Sequence, residues 1–164
     1  MDKPIVAIMY DFDKTLAITD MQNFNFIPNM GYTVEEFWNE TSEFCDKEQI
    51  DKILGYMYMM IHAAKKNGIK LTRKFLNEQS KDIKYFRGVE NWFNRIREYG
   101  KERGLIIEHY LITSGNKEIV EATSIAKEFK AIFGCEYIYD ETGEAIWPKL
   151  MINYTQKTQF IFRI

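Results

Sequence analysis

Ile5-Val6-Ala7-Ile8-Met9-Tyr10 is an unbroken apolar run that stops at Asp11 and Asp13. A continuous run, rather than an alternating one, predicts a short strand buried on both faces of a parallel sheet. Residues 106–112, closing on Thr113-Ser114-Gly115-Asn116, and residues 135–139, closing on Asp140, predict two more strands. Between these two, Ile119, Val120, Ala122, Ala126, Phe129 and Ile132 recur at roughly helical spacing, predicting a helix over 117–133 that ends near Gly134. Strand, helix, strand implies a right-handed parallel crossover. Residues 89–103 predict another amphipathic helix, with Trp92, Phe93, Ile96 and Tyr99 on its covered side and Gly104 just past its end.

Residues 17–86 are too long for a crossover loop and carry helical patterns of their own. Thr33 with Glu36 forms a capping box for a helix through about residue 46, with Val34, Phe37, Trp38, Thr41 and Phe44 near its inner face. A second helix is expected over about 50–66, and Thr72 caps a third through about 82. Asp140-Glu141-Thr142-Gly143 reads as a turn, residues 144–153 as a returning strand with Pro148 near an edge, and Thr155 opens a helical pattern containing Lys157, Phe160 and Ile161. The fold class is therefore α/β: a Rossmann-like parallel sheet core (1–16 and 87–164) with an inserted helical cap (17–86).

The chain has 164 residues, the size of one ordinary domain. Lys+Arg number 22 against Asp+Glu 24, for a net charge of -2, so no overall positive field gathers nucleic acid or an anionic membrane. Any anionic ligand must be held locally. Cys45 and Cys135 lack metal-ligand spacing and read as reduced, buried thiols. The first apolar run is too short for a signal-peptide core and residues 56–64 are far below bilayer length, so the expected compartment is the cytoplasm.

The chemistry concentrates where the first strand ends. Residues i and i+2 of a strand point the same way, so Asp11 and Asp13 can face one substrate while Phe12 turns into apolar packing. The carboxyl end of a parallel strand opens into the crevice where such sheets bind ligands. Two adjacent carboxylates repel, and a cation or shared proton relieves them; magnesium suits carboxylate and phosphate oxygens. Thr113, Ser114 and Gly115 at the expected start of a helix offer a hydroxyl and free amides to an anion, and Lys157 adds a positive charge. These are the parts of phosphoryl transfer through an aspartyl-phosphate.

Asp11-Phe12-Asp13-Lys14-Thr15-Leu16 resembles the first motif of the haloacid dehalogenase (HAD)-like hydrolase superfamily, most strongly its phosphoserine-phosphatase-like branch. The resemblance implies a hydrolase, a Mg2+-dependent phosphatase acting on a small-molecule phosphomonoester, in which Asp11 attacks phosphorus. It implies that Asp13 protonates the leaving oxygen and then activates water, and that Asp11 and the Asp13 main-chain carbonyl bind magnesium. Thr113 resembles the second motif and Lys157 the third, with Thr15, Ser114 and Gly115 at the phosphate; Ser114 is the alternative contact to Thr113, and Lys149 the rival to Lys157. Residues 17–86 occupy the position of the superfamily's first cap type. The family pattern continues past its lysine into another strand and an acidic motif, whereas here no acidic residue follows Glu144. That departure implies a truncated core, a first strand with a hydrophobic edge, and impaired turnover. The alternative function is a non-catalytic remnant that binds phosphate or a protein.

Overall fold

The computed structural model describes residues 3–164. Its centre is a four-stranded sheet in the order β1 (Ile5–Tyr10), β2 (Ile106–Asn116), β3 (Ala131–Tyr139), β4 (Ala145–Leu150). β1 pairs with β2 in parallel from Ile5 opposite Ile106 to Tyr10 opposite Leu111, and β2 pairs with β3 in parallel from Tyr110 opposite Ala131. β4 returns antiparallel on β3, which places Pro148 on an edge strand where its missing N–H is tolerated. β1 forms the opposite edge. It is not buried on both faces as its unbroken apolar run predicts: Ile5 is 59% exposed and Met9 40% exposed, because no described strand lies beyond it.

Four helices separate β1 from the second half of the core: α1 (Phe26–Asn29), α2 (Val34–Glu48), α3 (Lys52–Lys66) and α4 (Arg73–Glu78). α2 starts at the expected capping box, with the Glu36 amide donating to Thr33 Oγ1 and the Thr33 amide donating to Glu36 Oε2. Asp51 caps α3 by accepting from the Ile53 and Leu54 amides. Phe37 on α2 and Met57 and Met60 on α3 are buried, so the Met-rich face of α3 is core packing. This helical segment is tied to the sheet by polar contacts. Tyr137 Oη donates to the Met57 carbonyl at 3.1 Å, the Ala145 amide donates to the Leu71 carbonyl at 2.8 Å, and Asn153 Nδ2 donates to Asp51 Oδ2 at 3.1 Å.

Three expectations are corrected. The helix predicted over 117–133 is only α6 (Lys117–Glu121), followed by a 3₁₀ turn at Ala126–Glu128, and β3 begins at Ala131 rather than Cys135. Ile132 and Phe133 fit the helical stripe, but they are better used in the pairing with Leu111 and Ile112. α5 (Val89–Glu102) is present, yet its covered side carries Phe93 and Gly100, while Trp92 and Tyr99 face outward. Gly100 lies so close to Ile107 that an added Cβ would overlap its side chain, and this contact fixes which side of α5 meets β2. The helix expected from Thr72 to about residue 82 stops at Glu78, although Thr72 does cap it through the Phe75 amide. The last helix, α7 (Lys157–Ile161), follows a turn in which Asn153 Oδ1 accepts from the Thr155 and Gln156 amides.

Candidate active site

The backbone turns sharply where β1 ends. The Phe12 carbonyl accepts from the amides of Thr15, Leu16 and Ala17, and Lys14 takes a left-handed conformation at φ 58°. Phe12 is fully buried, edge-on to Tyr85, and the carboxylates on either side of it turn away from the core into a cavity of about 530 Å³. That cavity is lined from the sheet side by Asp11, Asp13, Ser114 and Lys157. Asp11 accepts from Lys157 Nζ at 2.7 Å, with 40% of its side chain exposed, which leaves a carboxylate both accessible and charge-balanced.

Asp13 is in a different environment. Its Oδ1 accepts from the Met21 amide at 2.8 Å. Burial pushes its carboxyl up from the ordinary 3.8 to about 7; the Met21 amide opposes the rise, and the Asp20 and Asp11 charges add to it. Two neighbouring carboxyls whose surroundings separate their roles are the usual arrangement of a nucleophile beside an acid/base group. The folded value lies above the ordinary one, so folding favours the protonated acid, and stability falls as pH rises from 3.8 towards about 7. Asp13→Asn is therefore expected to raise Tm by roughly 3–6 °C at pH 8 and to match the wild type below about pH 4, measured by thermal denaturation across pH.

Thr113 is fully buried, and its Oγ1 accepts from the Gly115 amide at 3.0 Å instead of facing the cavity. Thr15 is exposed outside the cavity, and Gly115 lies behind the lining, where an added Cβ would meet Met21 and sit 2.9 Å from Asp13 Oδ2. Ser114 is the residue of this segment that reaches the cavity. Lys149 pairs with Glu136 at 3.5 Å and does not line it. His109 is buried against Tyr10 and Phe93, and His62 lies elsewhere on the surface of α3. The approach of the first-strand turn to the end of β2 is reinforced by a buried bond: Gln22 Nε2 donates to Asn116 Oδ1 at 3.1 Å.

The far wall of the cavity is built by the helical segment, with Trp38, Thr41, Ser42 and Cys45 on α2 and Lys52, Ile53 and Tyr56 on α3. None of these is among the site residues expected from the sequence, although Tyr56, beside the methionines of α3, also suits a pocket lining. The available signal was positional: 38, 41, 42 and 45 share one face of α2, and 52, 53 and 56 share one face at the start of α3. Asp20 and Gln22 also line the cavity, with Asp20 held by Lys14 Nζ at 2.7 Å.

Among the described residues, no group of three or more His, Cys, Asp and Glu side chains is placed to hold a metal ion, and no helix is long and apolar enough to cross a membrane.

No protein-family model matches the chain. An uncharacterized protein of Borreliella burgdorferi is 25% identical over 186 residues, an alignment covering 98% of this chain and 64% of that protein. A HAD-family hydrolase from Salmonella enterica serovar Typhi superposes with a TM-score of 0.63 at 13% identity, covering 98% of this chain and 51% of the other. A phosphoserine phosphohydrolase-like protein from Francisella tularensis gives 0.58 at 15% identity, over 90% of this chain and 64% of its own. A phosphoserine phosphatase, solved as an analogue of its phospho-aspartyl intermediate, gives 0.56 at 17% identity, over 87% and 61%. The chain spans less than two thirds of the length of each of these proteins. The α/β sheet with its intervening helices has the fold of the HAD-like hydrolases, and of phosphoserine phosphatases among them.

Proposed function

We propose that this chain is a phosphomonoesterase working through an aspartyl-phosphate on Asp11. The observation that carries the reading is the pairing of two unlike carboxyls in one cavity: Asp11 accessible and bonded to Lys157, Asp13 bonded to the Met21 amide with its carboxyl pushed up by burial. Asp11 attacks phosphorus and the ester P–O bond breaks, while Asp13 passes its proton to the departing oxygen. The Asp13 carboxylate then takes a proton from water as that water attacks phosphorus, and Asp11 is released. Lys157 holds Asp11 in place and balances charge on the phosphoryl oxygens. Ser114 contacts the phosphate from the end of β2, and the helical segment over residues 17–86 acts as a cap that walls the reacting atoms from water.

The donor set fits magnesium. The Asp11 carboxylate and the Asp13 main-chain carbonyl are hard oxygen donors, and a phosphate supplies further oxygens. Bound there, the ion would neutralise charge on the phosphoryl group. A second reading is a phosphate-binding protein without turnover.

The pH dependence of hydrolysis tests the first reading. For an alkyl phosphate, whose leaving oxygen needs a proton, kcat is expected to fall above about pH 7 as Asp13 ionises. For 4-nitrophenyl phosphate, which leaves as a stable anion, that fall should be absent. Superimposable profiles for the two esters would remove Asp13 from the acid role.

A further inference from the structure

Three polar side chains on the wall facing the two carboxylates are already engaged inside the protein. Trp38 Nε1 donates to Asn23 Oδ1 at 2.8 Å, Thr41 Oγ1 to the Phe37 carbonyl at 2.7 Å, and Tyr56 Oη to the Ser114 carbonyl at 2.7 Å. With those donors committed inside the protein, these residues and Ile53 line the cavity with largely apolar surface. A bound phosphate alone would leave most of the roughly 530 Å³ filled with water against that surface. A flat apolar body attached to the phosphate would displace it.

The cations of the cavity divide just as clearly. Lys157 is engaged by Asp11 and Lys14 by Asp20, each at 2.7 Å. Lys52, at the start of α3, lines the same cavity, and among the described residues its Nζ makes neither an ion pair nor a hydrogen bond. Its neighbour Asp51 makes no ion pair with it: Oδ1 accepts from the Ile53 and Leu54 amides and Oδ2 from Asn153 Nδ2. A lysine with no partner at the rim of an apolar wall favours a ligand that brings a negative charge to it.

Building on the phosphomonoesterase reading, we infer that the site takes phosphate esters whose leaving group is a flat, largely apolar or aromatic body carrying a second anionic group, and that Lys52 reads that anion. Lys52 thus acts in specificity, at the far end of the substrate from the bond that breaks.

The test compares phenyl phosphate with the three carboxyphenyl phosphates. In the wild type the best carboxyphenyl ester is expected to show a KM lower than phenyl phosphate by about tenfold or more, the range one charge-assisted contact supplies. Lys52→Ala should bring the ratio of the two KM values to within about twofold of one, and Lys52→Arg should keep it. A wild type without the preference, or a preference that survives Lys52→Ala, overturns the inference. If the wild type hydrolyses none of these esters, the phosphatase reading fails by itself. Calorimetry with phenylphosphonate and its carboxylated counterparts then decides the ligand class: a Lys52-dependent gap in Kd supports it, and equal Kd values overturn it.

Discussion

Asp11→Asn is expected to reduce phosphomonoester hydrolysis by at least about a hundredfold, to the level of background, because the amide has no anionic oxygen to donate to phosphorus. The fold should survive the change. The Asp11 side chain is 40% exposed, and its recorded partner, Lys157, is itself partly exposed and can turn to solvent. A measured Tm near that of the wild type, together with the lost rate, would separate chemistry from unfolding. Retained activity in a correctly folded Asp11→Asn protein would move the nucleophile elsewhere.

The second large effect is expected at Gly115, which lies behind the cavity lining. A Cβ at this position would overlap the Met21 side chain and approach Asp13 Oδ2 to 2.9 Å. Met21 is fully buried, so the flexible end of its side chain has to repack inside the core, against the turn whose amide holds Asp13. Overpacking of this kind costs about 1–3 kcal/mol. The displacement also falls on the acid/base group, where a shift of about 1 Å costs on the order of a hundredfold in rate. Gly115→Ala should therefore lower both the denaturation midpoint and kcat. An unchanged midpoint and kcat would mean that the end of β2 does not position Asp13.

Much of this arrangement is legible in the residues. The unbroken run at 5–10 followed by Asp11 and Asp13 marks both a strand and the side its carboxyls face, because a two-residue period leaves little choice once Phe12 is buried. The Thr33–Glu36 box marks the start of α2 because its bonds are local. What depends on partners distant in sequence is less visible. Ile132 and Phe133 suit a helix or a strand, and their pairing with β2 decides. Trp92 and Tyr99 satisfy a helical stripe as well as Phe93 does, and the close approach of Gly100 to Ile107 turns them outward. The far wall of the site is of this kind too. Trp38 and Tyr56 become site residues only because tertiary bonds to Asn23 and Ser114 hold them at the cavity. Thr113 shows the converse: a hydroxyl in a suggestive position whose bond, to the Gly115 amide, is internal.

The central claim is that Asp11 carries the phosphoryl group, and a covalent trap tests it most directly. The protein is mixed with magnesium and a 32P-labelled aryl phosphate, quenched in acid and counted for bound label; a parallel unlabelled sample is reduced with borohydride, which expels the phosphate and leaves homoserine at the modified aspartate for mass spectrometry to locate. Label on Asp11, with homoserine recovered at that position and none in Asp11→Asn, is the expected result. Ester hydrolysis that proceeds with no trapped label, or label on another residue, would contradict the account.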